Sequence, residues 1–115
     1  MDLSSEAIAP DVADTAPLTR REIATLLPEL PDWSLEDGRL TARFACKGFD
    51  EAMAFLTEVA GFAAREKHLP DLGIHAGRFV DVAWYTYAIG GLSKNDFIMA
   101  ARLSGWFRRR RGTPL

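Results

Sequence analysis

The two histidines are the residues best suited to acid–base chemistry, because a free imidazole titrates near neutral pH. His68 and His75 lie on either side of Pro70. A zinc site needs three or four ligands, and the chain adds only one cysteine, Cys46, with no acidic histidine motif to complete a set. We therefore predict no metal site. We expect Cys46 to be a small buried hydrophobic residue within a strand rather than a nucleophile.

A run of arginines follows Trp106 and Phe107 near the end of the chain: Arg108, Arg109, Arg110 and Arg111. One interpretation is a solvated helix end, where cations interact favourably with the helix dipole. The other is a basic patch that steers association with an acidic protein partner. Because no basic face elsewhere accompanies the run, we do not expect nucleic acid as the partner.

Length and composition describe one compact domain. The chain has 115 residues, 48% of them apolar, and a net charge of −2, which does not point to nucleic acid or membrane. No window approaches the roughly 18 consecutive apolar residues of a membrane span. Residues 1–17 are rich in Ala, Asp, Ser and Pro and lack the features of a targeting peptide. We predict a disordered leader over 1–17, a domain over 18–107, a basic tail over 108–115, and a cytoplasmic protein.

Hydrophobic periodicity in the first half of the domain predicts one short helix and two strands. Thr19 and Glu22 form a capping-box pattern at the start of a helix over 18–30. Asp37-Gly38 between apolar flanks is typical of a hairpin turn. The alternation that follows, over 40–46, predicts a half-buried strand.

The second half predicts two helices around two further strands. Asp50 is placed to cap a long helix over 51–67. The wide apolar stripe of this helix indicates packing on a sheet and on another helix, either within the monomer or from a second subunit. Strands are expected over 72–76 and 79–87, and a last helix from Ser93. This order predicts an α+β domain with helices on one face of a four-stranded antiparallel sheet.

Six segments occur in a characteristic order: Leu30-Pro31-Asp32-Trp33, the strand from Leu40 to Phe44, Phe49-x-x-Ala52-x-x-Phe55, Val59-Ala60, Lys67-His68-Leu69-Pro70, and Gly90-Gly91-Leu92-Ser93-x-x-Asp96. Their order and spacing resemble the pterin-4a-carbinolamine dehydratase family. The resemblance covers about residues 18–107. It implies a four-stranded antiparallel sheet with helices on one face, and subunits that form dimers or tetramers.

The enzymes of that family remove water from a 4a-hydroxy-tetrahydropterin, which requires an acid for the hydroxyl and a base for a ring N–H. The resemblance implies a His-His-Pro motif after the long helix and a third histidine at the end of the last strand. In this chain His68 and Pro70 match the motif, but Leu69 occupies the second histidine position and Tyr87 the third. Leucine transfers no proton, and a phenol with a pKa near 10 is a poor base at pH 7. An alternative is that His75 enters the pocket instead.

His68 and Asp96 each have two interpretations. His68 is either a surviving site residue or a helix-terminal histidine that interacts with the dipole of the long helix. The absence of its partner histidines favours the helix-terminal role. Asp96 matches the family, yet a helix-capping role accounts for it without catalysis, and we favour that role.

Two functions of different class follow from the resemblance. The family includes a branch without the histidine set, whose members act as RuBisCO assembly factors linked to the α-carboxysome. We predict this non-catalytic function, with RuBisCO and further copies of the chain as partners, no cofactor, and a location in the cytoplasm or the carboxysome. The alternative is an active dehydratase that recycles the pterin cofactor of aromatic amino-acid hydroxylases with His68, Tyr87 and His75. We assign no catalytic or pterin-binding residue. The exposed sheet face and Arg108–Arg111 are the predicted partner contacts.

Overall fold

A computed structural model describes residues 2–9 and 15–111, with the backbone alone at 110 and 111. In the described part, the helices and strands follow one another in the order α1-β1-β2-α2-β3-β4-α3. Their bounds are α1 Arg20–Leu26, β1 Ser34–Glu36, β2 Arg39–Ala45, α2 Phe49–Glu66, β3 Asp71–His75, β4 Phe79–Trp84 and α3 Lys94–Arg111. None of the described helices combines the length and hydropathy that a membrane crossing requires.

The four strands form one antiparallel sheet in the order β1-β2-β4-β3. The register sets Leu40 opposite Trp84 and Phe44 opposite Val80, so that their side chains share one face. On the neighbouring strand, Ile74 also lies opposite Val80. Helices α2 and α3 contact this sheet, which confirms the predicted α+β architecture.

The core lies between the apolar face of the sheet and the two long helices. An aromatic cluster forms its centre, where the ring of Phe44 lies 5.2 Å from Phe55, 4.8 Å from Phe107 and 5.9 Å from Trp33. Full burial of each such side chain stabilises the fold by about 1.5–3 kcal/mol. Cys46 is 2% exposed and belongs to this core, as the alternation of β2 predicts.

The predicted capping box and hairpin are both present. The Thr19 hydroxyl accepts the backbone N–H of Glu22, and the Glu22 carboxylate accepts the backbone N–H of Thr19. Helix α1 then tightens into a 3-10 turn that contains Pro28, which has no N–H to continue an α-helix. Asp37 and Gly38 join β1 to β2 with φ of 51° and 75°, the left-handed pair of a type I′ turn.

The N-cap of α2 and the end of β4 both differ from the prediction. Gly48, rather than Asp50, is the N-cap residue of α2, and Asp50 lies in the first turn, where its charge suits the helix dipole. Strand β4 ends at Trp84, because the chain turns away from the sheet into a 3-10 turn over Tyr87–Ile89.

The predicted disordered leader, residues 1–17, lies partly outside the described residues, and its described part differs from the prediction. Leu3 is 3% exposed against α3. Arg102 donates two hydrogen bonds to backbone carbonyls of the same segment. The side chain of Asn95 exchanges two hydrogen bonds with the backbone of Ala9. Two apolar side chains, Leu3 and Ile8, and these polar contacts hold residues 2–9 against the domain.

Candidate functional site

His68 is directed inward by the way α2 ends. Lys67 adopts a left-handed conformation with φ of 57°, which turns the chain after the helix. The N–H of His68 still reaches the carbonyl of Ala63, at 3.2 Å. The imidazole is buried and stacks on the indole of Trp84, with ring centroids 5.7 Å apart and an interplanar angle of 9°.

Asp96, in the first turn of α3, is the centre of a buried polar network. Its carboxylate is 0% exposed, and Oδ1 lies 2.6 Å from Nε2 of His68. Oδ2 accepts the hydroxyl of Thr86 at 2.7 Å and the backbone N–H of Ser93 at 2.9 Å. The hydroxyls of Thr86 and Ser93 are themselves 2.7 Å apart. We call His68, Thr86, Ser93 and Asp96 the Asp96 network.

The Gly-Gly segment brings the parts of this network together. Gly90 ends the 3-10 turn in a left-handed conformation with φ of 64°. The N–H of Thr86 then bonds to the carbonyl of Gly91 at 3.0 Å, which closes the loop below α3. A Cβ on Gly91 would lie 2.7 Å from Cβ of Pro17, so the chain approaches too closely for any other residue without a shift. The two glycines therefore let Thr86 and Ser93 meet the same carboxylate.

In this network Asp96 has both of the roles that the sequence presents as alternatives, helix capping and contact with the site histidine. Asp96 accepts the N–H of Ser93, as a capping residue does, and also bonds to an imidazole. His68 has this carboxylate as a hydrogen-bond partner while its backbone N–H remains bonded at the end of α2. The contact between Nε2 of His68 and Oδ1 of Asp96 fixes the orientation of the imidazole ring. The arrangement orients one buried imidazole.

Leu69 and Tyr87 lie on the surface, outside this network. Their exposures are 65% and 58%. The Tyr87 hydroxyl donates to Oδ2 of Asp71 at 2.6 Å and accepts a hydrogen bond from Arg39 at 2.9 Å. The hydrogen bond to Asp71 raises the pKa of the Tyr87 hydroxyl above its ordinary value. The structure thus joins His68 to Asp96 and leaves Leu69 and Tyr87 apart from them.

His75 lies on the open face of the sheet, so the suggestion that it enters the His68 pocket is wrong. In β3, alternate residues point to opposite faces, and His75 pairs with Phe79 in the register, away from the helices. Its Nε2 lies 3.2 Å from Oδ2 of Asp81. The Arg43 guanidinium also bonds to both oxygens of Asp81, at 2.7 and 2.8 Å. This hydrogen bonding by Arg43 lowers the pKa of the Asp81 carboxyl.

The open face forms a shallow cavity of about 580 Å³, lined mainly by polar residues: Ser34, Glu36, Arg43, Asp71, His75 and Asp81. His68 does not line it. The charged groups of this cavity largely pair with one another, as the bonds of Arg43 and His75 to Asp81 show. A surface of this kind suits polar contacts with a partner better than enclosure of a small apolar ligand.

The backbone of the arginine run continues α3, which ends at Arg111. Arg108 forms an ion pair with Asp32, at the loop before β1. Arg109 lines a groove between α2 and α3. The side chains of Arg110 and Arg111 lie outside the described part of the chain. Among the described residues, no group of three His, Cys, Asp or Glu side chains is placed to hold a metal ion.

Two contributors to the site, Trp84 and Thr86, were missed as site residues from the sequence. Trp84 stacks on the imidazole of His68, and Thr86 bonds to Asp96. The alternation of β4 places both residues on the helix-facing side, continuing Val80 and Val82. A threonine on an otherwise apolar face signals a buried hydroxyl that needs a partner.

Comparison with known proteins agrees with this fold. Residues 16–106 match the family model described as pterin 4 alpha carbinolamine dehydratase. A relative from Stenotrophomonas maltophilia is 45% identical over 76% of this chain and 76% of its own. One from Chlorobium limicola is 43% identical over 90% and 95%. Both bear the name "Putative pterin-4-alpha-carbinolamine dehydratase".

A solved structure gives the same result. The crystal structure of a transcriptional coactivator/pterin dehydratase from Brucella melitensis superposes with a TM-score of 0.68 at 31% identity. The alignment covers 77% of this chain and 96% of that one. With residues 16–106 matched by the family model, sequence and architecture agree: the chain belongs to the pterin-4-alpha-carbinolamine dehydratase family.

Proposed function

We propose that this protein is a non-catalytic member of the family that acts by binding a protein partner, as a RuBisCO assembly factor associated with the α-carboxysome. The observation that carries the non-catalytic part is the environment of Tyr87. Its hydroxyl stands where the family has a histidine, yet it donates to Asp71 at 2.6 Å, which raises its pKa further from neutral. Leu69, at the other changed position, has no group that titrates. His68 therefore lacks a second proton-transfer group of the family kind.

The choice of RuBisCO as partner follows from the resemblance to the assembly-factor branch. Loss of the histidine set is the feature shared with that branch. The protein also has surfaces of the kind that bind proteins: the polar open face of the sheet, and the groove that Arg109 lines between α2 and α3. We infer that copies of the chain associate as well, because Phe49 and Met53 are exposed apolar side chains on one end of α2.

The test of assembly is co-expression of the RuBisCO large and small subunits with and without this protein. We expect a higher yield of assembled RuBisCO, measured by native electrophoresis and carboxylase activity, when the protein is present. The variant His68→Gln serves as a matched control: it removes the acid–base group of the Asp96 network, so assembly should persist if the function is binding alone. An unchanged yield with the wild-type protein would contradict the RuBisCO role.

The second candidate is an active dehydratase, and the His68–Asp96 pair is the observation that favours it. A carboxylate 2.6 Å from an imidazole nitrogen orients that ring for proton transfer. Such a group contributes about 10²–10⁴-fold to a rate. The non-catalytic function predicts no acceleration of 4a-hydroxy-tetrahydropterin dehydration.

The dehydration assay separates the two candidates. A rate about 100-fold above background, abolished by His68→Gln, would establish the dehydratase and exclude the non-catalytic function. If the wild-type protein is inactive, the double variant Leu69→His with Tyr87→His tests the cause. A gain of activity in that variant would show that the missing histidines, rather than the pocket, account for the inactivity.

A further inference from the structure

A groove of about 690 Å³ lies between α2 and α3, on the side of the helices away from the open sheet face. Its apolar part is formed by Phe62, Leu103 and Trp106. The indole of Trp106 is stacked on Phe55, with ring centroids 5.4 Å apart and an interplanar angle of 12°. This stacking anchors part of the groove wall to the aromatic core, so the surface is pre-formed rather than loose.

Each helix contributes the same pair of residues to this groove, a glycine followed four positions later by an arginine. A Cβ on Gly61 would lie 3.7 Å from Nη1 of Arg65, and a Cβ on Gly105 would lie 3.5 Å from Nη1 of Arg109. Each guanidinium therefore lies beside its glycine, on the helix surface. Glycine within a helix is less stabilising than alanine, so it carries a cost. In both helices this cost accompanies a guanidinium on the wall of one shared groove.

The charges of the groove are mainly positive. Arg65, Arg102 and Arg109 line it, with Glu58 as the acidic member of the described lining. Arg102 is occupied in the fold: it lies 3.3 Å from Glu66 and bonds to backbone carbonyls near the N-terminus. Arg65 and Arg109 are exposed, and they are the guanidinium groups positioned to meet a ligand.

We propose that this groove binds an acidic segment of a protein partner, with carboxylates on Arg65 and Arg109 and an apolar side chain against Phe62 and Trp106. Guanidinium groups bind carboxylates through two parallel hydrogen bonds, which gives both charge and geometric complementarity. An aromatic floor with arginines at its edge has the composition of an interface hot spot. The inference rests on the protein-binding function proposed above and names its surface, whatever the identity of the partner.

The experiment is an NMR titration of the ¹⁵N-labelled full chain. The probe is a synthetic amphipathic peptide of Glu, Leu and Phe, and the matched control peptide has Lys at every Glu position. The backbone amides of Gly61 and Gly105 and the indole N–H of Trp106 report directly on the groove. We expect these three signals to shift with the acidic peptide, and the affinity to fall as salt is raised.

Variants test whether the two arginines bind the carboxylates. Arg65→Glu with Arg109→Glu should weaken binding at least tenfold, as the loss of charge-assisted hydrogen bonds implies. Arg65→Gln with Arg109→Gln provides the same test with less perturbation of the helix ends. Arg21→Glu, an exposed charge reversal on α1, is the control and should bind as the wild-type protein does.

The inference is overturned if the acidic peptide causes no shift at these signals at millimolar concentration, or if both double variants retain wild-type affinity. It is also overturned if the variants change only the self-association of the chain in sedimentation, since a second copy would then occupy the groove. Because no RuBisCO is present, these results are separate from the co-expression test. Peptide binding together with an unchanged RuBisCO yield would support the groove as a protein-binding surface and exclude RuBisCO as its partner.

Discussion

The two faces of the sheet carry similar residue types in different environments, one buried and one exposed to solvent. On the helix-covered face, His68 bonds to one oxygen of the fully buried Asp96 carboxylate, and the Thr86 hydroxyl donates to the other. On the open face, His75 lies near Asp81, whose side chain is 34% exposed and is bonded by Arg43. Both are histidine–aspartate pairs. They differ in whether water can replace a missing partner.

That difference decides what each pair contributes. A buried carboxylate that loses its partners leaves uncompensated polar groups in a medium of low dielectric. An exposed ion pair loses little, because solvent screens its charges and hydrates whichever group remains. We therefore expect the Asp96 network to affect stability strongly and the open-face pair weakly.

Asp96→Ala should lower the free energy of unfolding by about 3–5 kcal/mol, because it leaves His68, Thr86 and the N–H of Ser93 buried without their acceptor. Urea unfolding followed by circular dichroism measures the loss. The matched control is Asp81→Ala on the open face, expected to cost less than about 1 kcal/mol. Equal losses in the two variants would contradict the contrast between the faces.

Thr86→Val should lower the free energy of unfolding by about 1.5–3 kcal/mol, since it keeps the side-chain shape and removes the hydroxyl bonded to the Asp96 carboxylate. The same unfolding assay applies. Thr41→Val provides the comparison on the open face, where the Thr41 hydroxyl makes bonds of 3.3 and 3.4 Å. We expect Thr41→Val to change stability by no more than about 0.5 kcal/mol. A larger loss for Thr41→Val than for Thr86→Val would refute the assignment.

Asp81→Asn should cost at most about 1 kcal/mol at neutral pH, and the cost should disappear in acid. The hydrogen bonds from Arg43 lower the pKa of Asp81 in the folded state. Its contribution is therefore present above the unfolded-state pKa of about 3.9 and is lost as pH falls through the lower folded-state pKa. Urea unfolding of both proteins from pH 6 to pH 2.5 measures the difference. A difference that does not change with pH would show that the ion pair is not its source.

Asp71→Asn should return the pKa of Tyr87 towards its ordinary value without a measurable change in stability. The ionised Asp71 accepts the phenol proton and favours the neutral phenol, which is why the Tyr87 pKa is raised. Ultraviolet absorbance of phenolate, recorded as pH is raised, measures this titration. Tyr87→Phe identifies which transition belongs to Tyr87 rather than Tyr85. An unchanged Tyr87 titration in Asp71→Asn would remove the physical basis given for its poor performance as a base.

Local patterns predicted much of the fold. The capping box at Thr19, the Asp37-Gly38 turn and the alternation of β2 are all present, because each depends on neighbours within a few residues. Strand β4 ends at Trp84 and not at the predicted residue 87. The alternation of buried and exposed residues continues to Thr86, but the pairing with neighbouring strands does not. The described part of the leader differed because its contacts come from α3, far along the chain.

The candidate site was predictable only in part. The sequence identified His68 and Asp96 as matching positions, and it showed that Leu69 and Tyr87 replace histidines. It could not show that His68 and Asp96 contact each other, because 28 residues separate them.

By itself, the sequence determined the order of elements, the family resemblance and the absence of two proton-transfer residues, since these depend on residue type and spacing. Only the tertiary structure decided that the two histidines lie on opposite faces of one sheet. It also decided that Gly61 and Gly105 come together on a single groove with Arg65 and Arg109. The physical reason is that strand register and helix packing bring distant residues together, and no local pattern encodes which distant surface each side chain will meet.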